Sequence, residues 1–199
     1  VDAGGLLNLT GWPTVGRQGY IRIEAAGGST ISRIVLRNGR ASFNDGFLLD
    51  HLAFESAGGP FAVVAYPATP WPATDQALGV AGFVVENFED TQVTAGLSIG
   101  WETPAGNTAP SGTLPNTFDP ATDPGGAFLA GVWDGAHCLA NTRDNQAHSY
   151  YDAAHWGNVI LQFDPPALAV GFSLQQLDLE ARLVVNGTDI GGVLNLTGW

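Results

Sequence analysis

The sequence predicts an all-β fold, an antiparallel sandwich, and three observations carry that reading. Short runs with every second residue apolar recur along the chain, separated by turn residues, at the roughly ten-residue spacing of sandwiches and barrels. Glycine (27) and proline (12) are plentiful between those runs. Long helix-forming stretches are absent from the sequence. With 45% hydrophobic and only 13% charged residues, a chain of 199 residues can bury a substantial core.

The elements follow in order. Gln18–Glu24 (QGYIRIE) alternates Tyr20, Arg22 and Glu24 with Ile21 and Ile23, a strand with one buried face. After Gly27-Gly28, Thr30–Arg37 alternates again and offers Ile31, Ile34 and Leu36 to a core. Beyond Asn38-Gly39, Phe43–Glu55 places Phe47, Leu49, His51 and Ala53 on one side and Leu48, Asp50, Leu52 and Phe54 on the other. Ser56–Gly82 holds Pro60, Pro67, Pro70 and Pro72 and reads as an extended linker, since proline cannot donate to a central ladder. The apolar run Phe61–Tyr66 within it can pair only as an edge strand.

Strands resume at Phe83–Asp90 and Gly96–Trp101, and Thr103–Gly126 reads as a long surface loop. Ala127–Trp133, Ala136–Asn141, Trp156–Phe163, Leu168–Leu174 and Leu177–Val185 are further strands. In the last three, Val159/Leu161/Phe163, Val170/Phe172/Leu174 and Leu183/Val185 form apolar rows. Asp144–His155 is the one stretch suited to a helical turn.

One segment occurs twice. Residues 1–12 (VDAGGLLNLTGW) and 188–199 (TDIGGVLNLTGW) are identical at nine of twelve positions, at an offset of 187. Leu6, Leu7 and Leu9, matched by Val193, Leu194 and Leu196, are the residues expected where one copy meets the next. The order of the pieces is odd for a free-standing domain, because Phe83–Asp90 reads as an opening strand and Gly46–Phe54 as a closing one. Four parts result: 1–55 is the C-terminal half of a sandwich unit and 56–82 the linker. Residues 83–187 are the N-terminal half, and 188–199 repeat the opening segment. Either 1–55 docks onto 83–187 within the chain, or the opening segment of one copy completes its neighbour by strand addition. A head-to-tail contact that does not close makes a filament.

Two motifs carry a resemblance. Asn87-Phe88-Glu89-Asp90 and Asp50-His51-Leu52-Ala53-Phe54 resemble the two ends of calcium-binding jelly-roll domains. Those domains occur as carbohydrate-binding modules and in secreted, exosortase-associated bacterial proteins. FDPPALAVGFSL (Phe163–Leu174) is similar to a middle strand pair of the same proteins. The resemblance covers most of 83–187 and 15–55 in permuted order and implies a jelly-roll β-sandwich. It implies an extracellular protein and a Ca2+ ion shared by Glu89 and Asp50, with Asp90, Asp45 and Asn44 as helpers. His51 stands where such families place a second acidic residue. The resemblance also offers a second function, polysaccharide binding, with Trp101, Trp133 and Trp156 (beside Tyr150 and Tyr151) as stacking rings.

Other chemistries find less in the sequence. The formal charge of −12, with seven basic residues, repels nucleic acid and anionic lipid. No apolar run approaches the roughly 20 residues of a membrane span. A thiol nucleophile at Cys138, beside His137, His148, His155 and Asp134, lacks a supporting motif, and a strand-borne structural cysteine is the expectation. His148 and His155 stand seven apart, which argues against a zinc site. The turn Asp119-x3-Asp123 is a solvated acidic turn. The sequons at Asn8, Asn186 and Asn195 are expected to carry no glycan. A chain beginning at Val1 with no methionine reads as a processed product or as part of something longer. The expectation is therefore a non-enzymatic extracellular structural protein that joins other copies of itself head to tail.

Overall fold

A computed structural model describes residues 17–25, 28–38, 46–56, 62–67, 75–76, 79–122, 133–146, 148, 154–176 and 181–192. Leu6, Leu7, Leu9, Asp45, Tyr150, Tyr151, Val193, Leu194 and Leu196 lie outside them, as do the strand expected at 127–132 and the Asn8 and Asn195 sequons.

The described residues make an all-β, antiparallel fold. Its strands are β1 (Arg17–Glu24), β2 (Ile31–Asn38), β3 (Phe47–Ser56), β4 (Ala62–Pro67), β5 (Val84–Glu86) and β6 (Leu97–Thr103). They continue as β7 (Gly106–Ser111), β8 (Leu139–Ala140), β9 (Asn158–Gln176), β10 (Ala181–Val185) and β11 (Thr188–Gly192). Among the described residues, Pro120–Thr122 forms a 3-10 turn.

β9 organises the sheet. Its first half is flanked by β2 and β6 and its second half by β1 and β3. One arm therefore runs β11-β10-β2-β9-β6-β7, and the other sets β4 and β1 on one side of β9 and β3, with β5 and β8, on the other. Strands from 17–67 and from 84–192 thus pair with one another within one sheet, β2 lying between β10 and β9 and β1 between β9 and β4. The sequence reading split β9 in two at Asp164-Pro165-Pro166. Instead the strand continues: the register shifts there, with Gln162 opposite Arg33 and Ala167 opposite Ile31, so the extra residues bulge out of the ladder.

The two arms share one apolar core. Ile34, Leu36, Ile99, Trp101, Val159, Leu161, Leu183 and Val185 of one arm join Ile21, Ile23, Phe47, Leu49, Phe54, Phe172 and Leu174 of the other. The alternating rows expected from the sequence are buried here. Burial of large side chains, at about 25 cal/mol per Å2 of apolar surface, is what holds the arms together.

Two local readings are corrected. In β3 the simple alternation fails, because His51 adopts a left-handed conformation (φ 47°) and the register shifts between Asp50 and Ala53. That bulge reverses the faces, so Phe47, Leu49, Leu52 and Phe54 all enter the shared core while Leu48 joins a second cluster with Phe118, Cys138 and Trp156. The surface loop expected over Thr103–Gly126 contains β7, hairpinned to β6 through Thr103–Gly106. Its polar sequence and Pro110 suit a strand at the sheet's margin. Of the stretch expected to form a helical turn, the described residues make a hydrogen-bonded turn, Asn145 N–H to Thr142 O at 2.9 Å. No helix among the described residues is long and apolar enough to cross a membrane.

Candidate functional site

The β3 bulge creates the first cluster. Asp50 is fully buried and His51 almost so. Asp50 Oδ1 accepts the His51 N–H at 2.7 Å, and Oδ2 accepts the Asp134 N–H. The His51 ring stands between two carboxylates, Nδ1 2.6 Å from Asp134 Oδ2 and Nε2 2.5 Å from Asp75 Oδ1. Each ring nitrogen therefore meets one carboxylate oxygen at hydrogen-bond distance. The ring thus ties β3 to the segments carrying Asp75 and Asp134. Burial pushes the Asp50 carboxyl up to about 8, reinforced by the negative charges of Asp134 and Glu89 and opposed by the two N–H donors. Burial, with Asp75 nearby, also holds the Tyr20 phenol protonated far above its ordinary range.

Glu89 meets the same loop. Its Oε1 accepts the N–H groups of Ala136 (2.8 Å) and His137 (2.7 Å), and Oε2 lies 3.3 Å from His137 Nδ1. Asp50 and Glu89, paired from the sequence as calcium ligands, are thus gathered at the 133–138 loop, their oxygens facing main-chain donors. Asp90 lies in a turn of its own, Oδ1 accepting the Gln92 N–H at 2.6 Å. The sequence reading missed Glu86, nearly buried, whose two oxygens accept the N–H groups of Phe88 (2.7 Å) and Thr94 (2.6 Å) and fix the turn after β5.

A second group lies on described residues between Thr142 and Trp156, which pair as an isolated antiparallel bridge. Among the described residues, Asp144, His148 and His155 each place one ligand atom within 4.8 Å of the others, a group able to hold a metal ion. His148 Nε2 lies 2.8 and 2.9 Å from the two Asp144 oxygens, and the His148 and His155 rings stack at 4.1 Å, 6° from parallel. The spacing of seven argued against this pair because it considered a helix or strand; a loop closed at its base brings the two rings together.

No family model, curated protein or solved structure matches this chain.

The remaining expected sites fall into place around these two. Trp101 and Trp156 are 1% and 3% exposed, so neither ring can stack on a sugar, which corrects the glycan-binding reading for both. Trp101 instead packs in the shared core and donates Nε1–H to Ala140 O at 3.0 Å. Trp133 is half-buried against the second cluster. Cys138 is fully buried, and burial pushes its thiol well above the usual range, the state of an inert core residue. Asn186 turns β10 into β11 with left-handed φ, and its side chain is fully engaged. Oδ1 accepts from the N–H groups of Ser32 and Arg33 and from Ser32 Oγ, while Nδ2 donates to Thr30 O at 2.6 Å.

The third feature is an edge. β11 is the first part of the repeated segment, residues 188–192, and it ends the sheet path beside β10. Arg182 of β10 holds Asp189 of β11 through Nε (3.2 Å) and Nη2 (3.0 Å), and Ile190 packs on the shared core.

Proposed function

We propose that this chain is a non-enzymatic, extracellular building block whose copies join head to tail through the repeated segment, each unit being a jelly-roll-like sandwich completed at the β10 edge. The observation that carries the reading is that the second copy of the segment supplies β11, the strand beside β10. Residues 1–5 (VDAGG) match 188–192 (TDIGG) at the aspartate and both glycines. Asp2 can therefore take the place of Asp189 in the ion pair with Arg182 of a neighbouring copy, and the glycines can follow the same path, with Ala3 losing part of the contact made by Ile190. Main-chain hydrogen bonds supply the affinity and alternate side chains the register. The same slot serves a covalent array of period 187 and a chain of separate subunits.

The experiment is sedimentation velocity on three forms. A chain of residues 1–187 has a vacant slot and a free opening segment, and should polymerise. Residues 13–199 fill their own slot, lack the opening segment, and should stay monomeric. The full chain should exchange slowly between the two behaviours. A strictly monomeric 1–187 form that remains folded would refute the reading.

Calcium belongs to the same proposal as a stabiliser at Asp50 and Glu89, whose oxygens would have to turn from their N–H partners, with Asp50 giving up its proton, to reach it. Millimolar Ca2+ added to chelator-treated protein should then raise the melting temperature, since a ligand bound only by the folded state stabilises it. An unchanged melt removes calcium from the account.

A further inference from the structure

We propose that Asp144, His148 and His155 form a binding site for a divalent first-row transition ion of the zinc type, which joins these three residues between the Thr142 and Trp156 bridge partners. The proposal is independent of head-to-tail assembly and distinct from the calcium expected at Asp50 and Glu89.

The ligand set points to this class of ion. Two imidazoles and one carboxylate are a nitrogen-rich, borderline-soft set suited to Zn2+ and its neighbours. Calcium and magnesium take oxygen ligands almost alone, so they fit the group poorly. The three ligand atoms lie within 4.8 Å of one another, so side-chain adjustment of about an ångström would bring them to the roughly 3.4 Å between tetrahedral ligands of one ion.

The frame beneath the group is fixed. The Arg143 N–H donates to His155 O at 3.0 Å, tying the residue before Asp144 to the third ligand. Asn145, fully buried and left-handed, has its side chain held by the Ala140 N–H (2.8 Å) and Asn116 O (2.7 Å), which sets the direction in which Asp144 leaves the chain. Asn116 Nδ2 donates to Asp144 O at 3.2 Å. His155 precedes Trp156, whose backbone bridges Thr142 and whose ring is buried. Two of the three ligands are therefore placed by the folded core. His148 is the arm that closes over them, already 2.8 Å from the carboxylate. Side-chain exposures of 17% for His148 and 35% for Asp144 leave an approach for an ion and for a water to complete its shell. Three protein ligands with one open position is a familiar zinc arrangement.

Titration of the metal-free full-length chain with Zn2+ alone, followed by calorimetry and by competition with a chromophoric chelator, tests the proposal. The expected result is one ion per chain, binding weakened about 100-fold or more in His148→Ala and in His155→Ala, and a His137→Ala control that binds as the wild type does. Circular dichroism should show all three variants folded, because none of the three histidines is among the fully buried core residues. Protection of amides near 142–156 from hydrogen exchange should rise on adding Zn2+ to the wild type and not to the two loop variants. No stoichiometric binding by the wild type would overturn the proposal. So would wild-type affinity in a His148→Ala/His155→Ala double variant, or loss of binding in His137→Ala alone.

Discussion

Raising the pH from the ordinary carboxyl value of 3.8 towards about 8 should weaken the fold through a single side chain, Asp50. Below 3.8 the carboxyl carries its proton in both the folded and unfolded chain, and its pH-dependent contribution is fully present. Between 3.8 and about 8 the folded chain keeps a proton that the unfolded chain has released. The unfolded state then binds fewer protons, so stability falls as pH rises, and the loss is complete above the folded value. The slope cannot exceed about 1.4 kcal/mol per pH unit, and the whole effect is on the order of 5 kcal/mol. That is comparable to the entire stability of many domains. The assay is a series of urea melts across this range for the wild type and for Asp50→Asn. The amide is neutral throughout, and it presents one acceptor where the two N–H groups of His51 and Asp134 need two. The variant should therefore start about 1 kcal/mol less stable at low pH and overtake the wild type at high pH. The difference between the two curves isolates Asp50 from the other carboxylates. Parallel curves, or a wild type that gains relative stability as pH rises, would refute the assignment of a buried, proton-holding Asp50.

Two further outcomes follow from packing. At Gly171 an added Cβ would lie 2.6 Å from the Tyr20 ring and hydroxyl, so Gly171→Ala should destabilise by about 1–3 kcal/mol in thermal or urea melts, and an unchanged melt would contradict the packing of β1 on β9. Gln175 is fully buried on β9 with neither amide atom hydrogen-bonded among the described residues, so Gln175→Met should be neutral or stabilising by about 1–3 kcal/mol in the same assay; a marked loss would mean that the amide is held.

Much of the sheet was legible because burial imposes a period of two. Ile21 and Ile23, Ile34 and Leu36, and the rows on β9 and β10 read correctly since each strand presents one face to the shared core. The reading failed where a strand departs from that period. His51 is not a glycine, so nothing in FLLDHLAFES marks its left-handed backbone, yet that one bulge decides which face of β3 is buried and where Asp50 and His51 end up. Asp164-Pro165-Pro166 looks like a strand break because proline lacks a donor, and only the shift of partners from one arm to the other lets β9 run through it. β7 was missed because a marginal strand need not be apolar. At the candidate sites, Asp50 and Glu89 were found as carboxylates of two motifs, whereas their actual partners are main-chain N–H groups of a loop far along the chain. Asp75 and Asp134 around His51 come from separate segments and leave no local signal. Asp144, His148 and His155 were all visible, but a spacing rule suited to helices and strands does not describe a loop closed by the Thr142–Trp156 bridge.

Site-specific cross-linking tests the assembly proposal most directly. Val184 and Asp189 are register partners in the β10–β11 pair, and Asp2 is the counterpart of Asp189 in the opening segment. A chain ending at residue 187 with Val184→Cys, mixed under mild oxidation with a second chain carrying Asp2→Cys, should give a mixed disulfide between positions 184 and 2. Failure to form that bond, or equal yield when the donor cysteine is moved outside the repeated segment, would contradict the claim that the opening segment of one copy fills the β10 edge of the next.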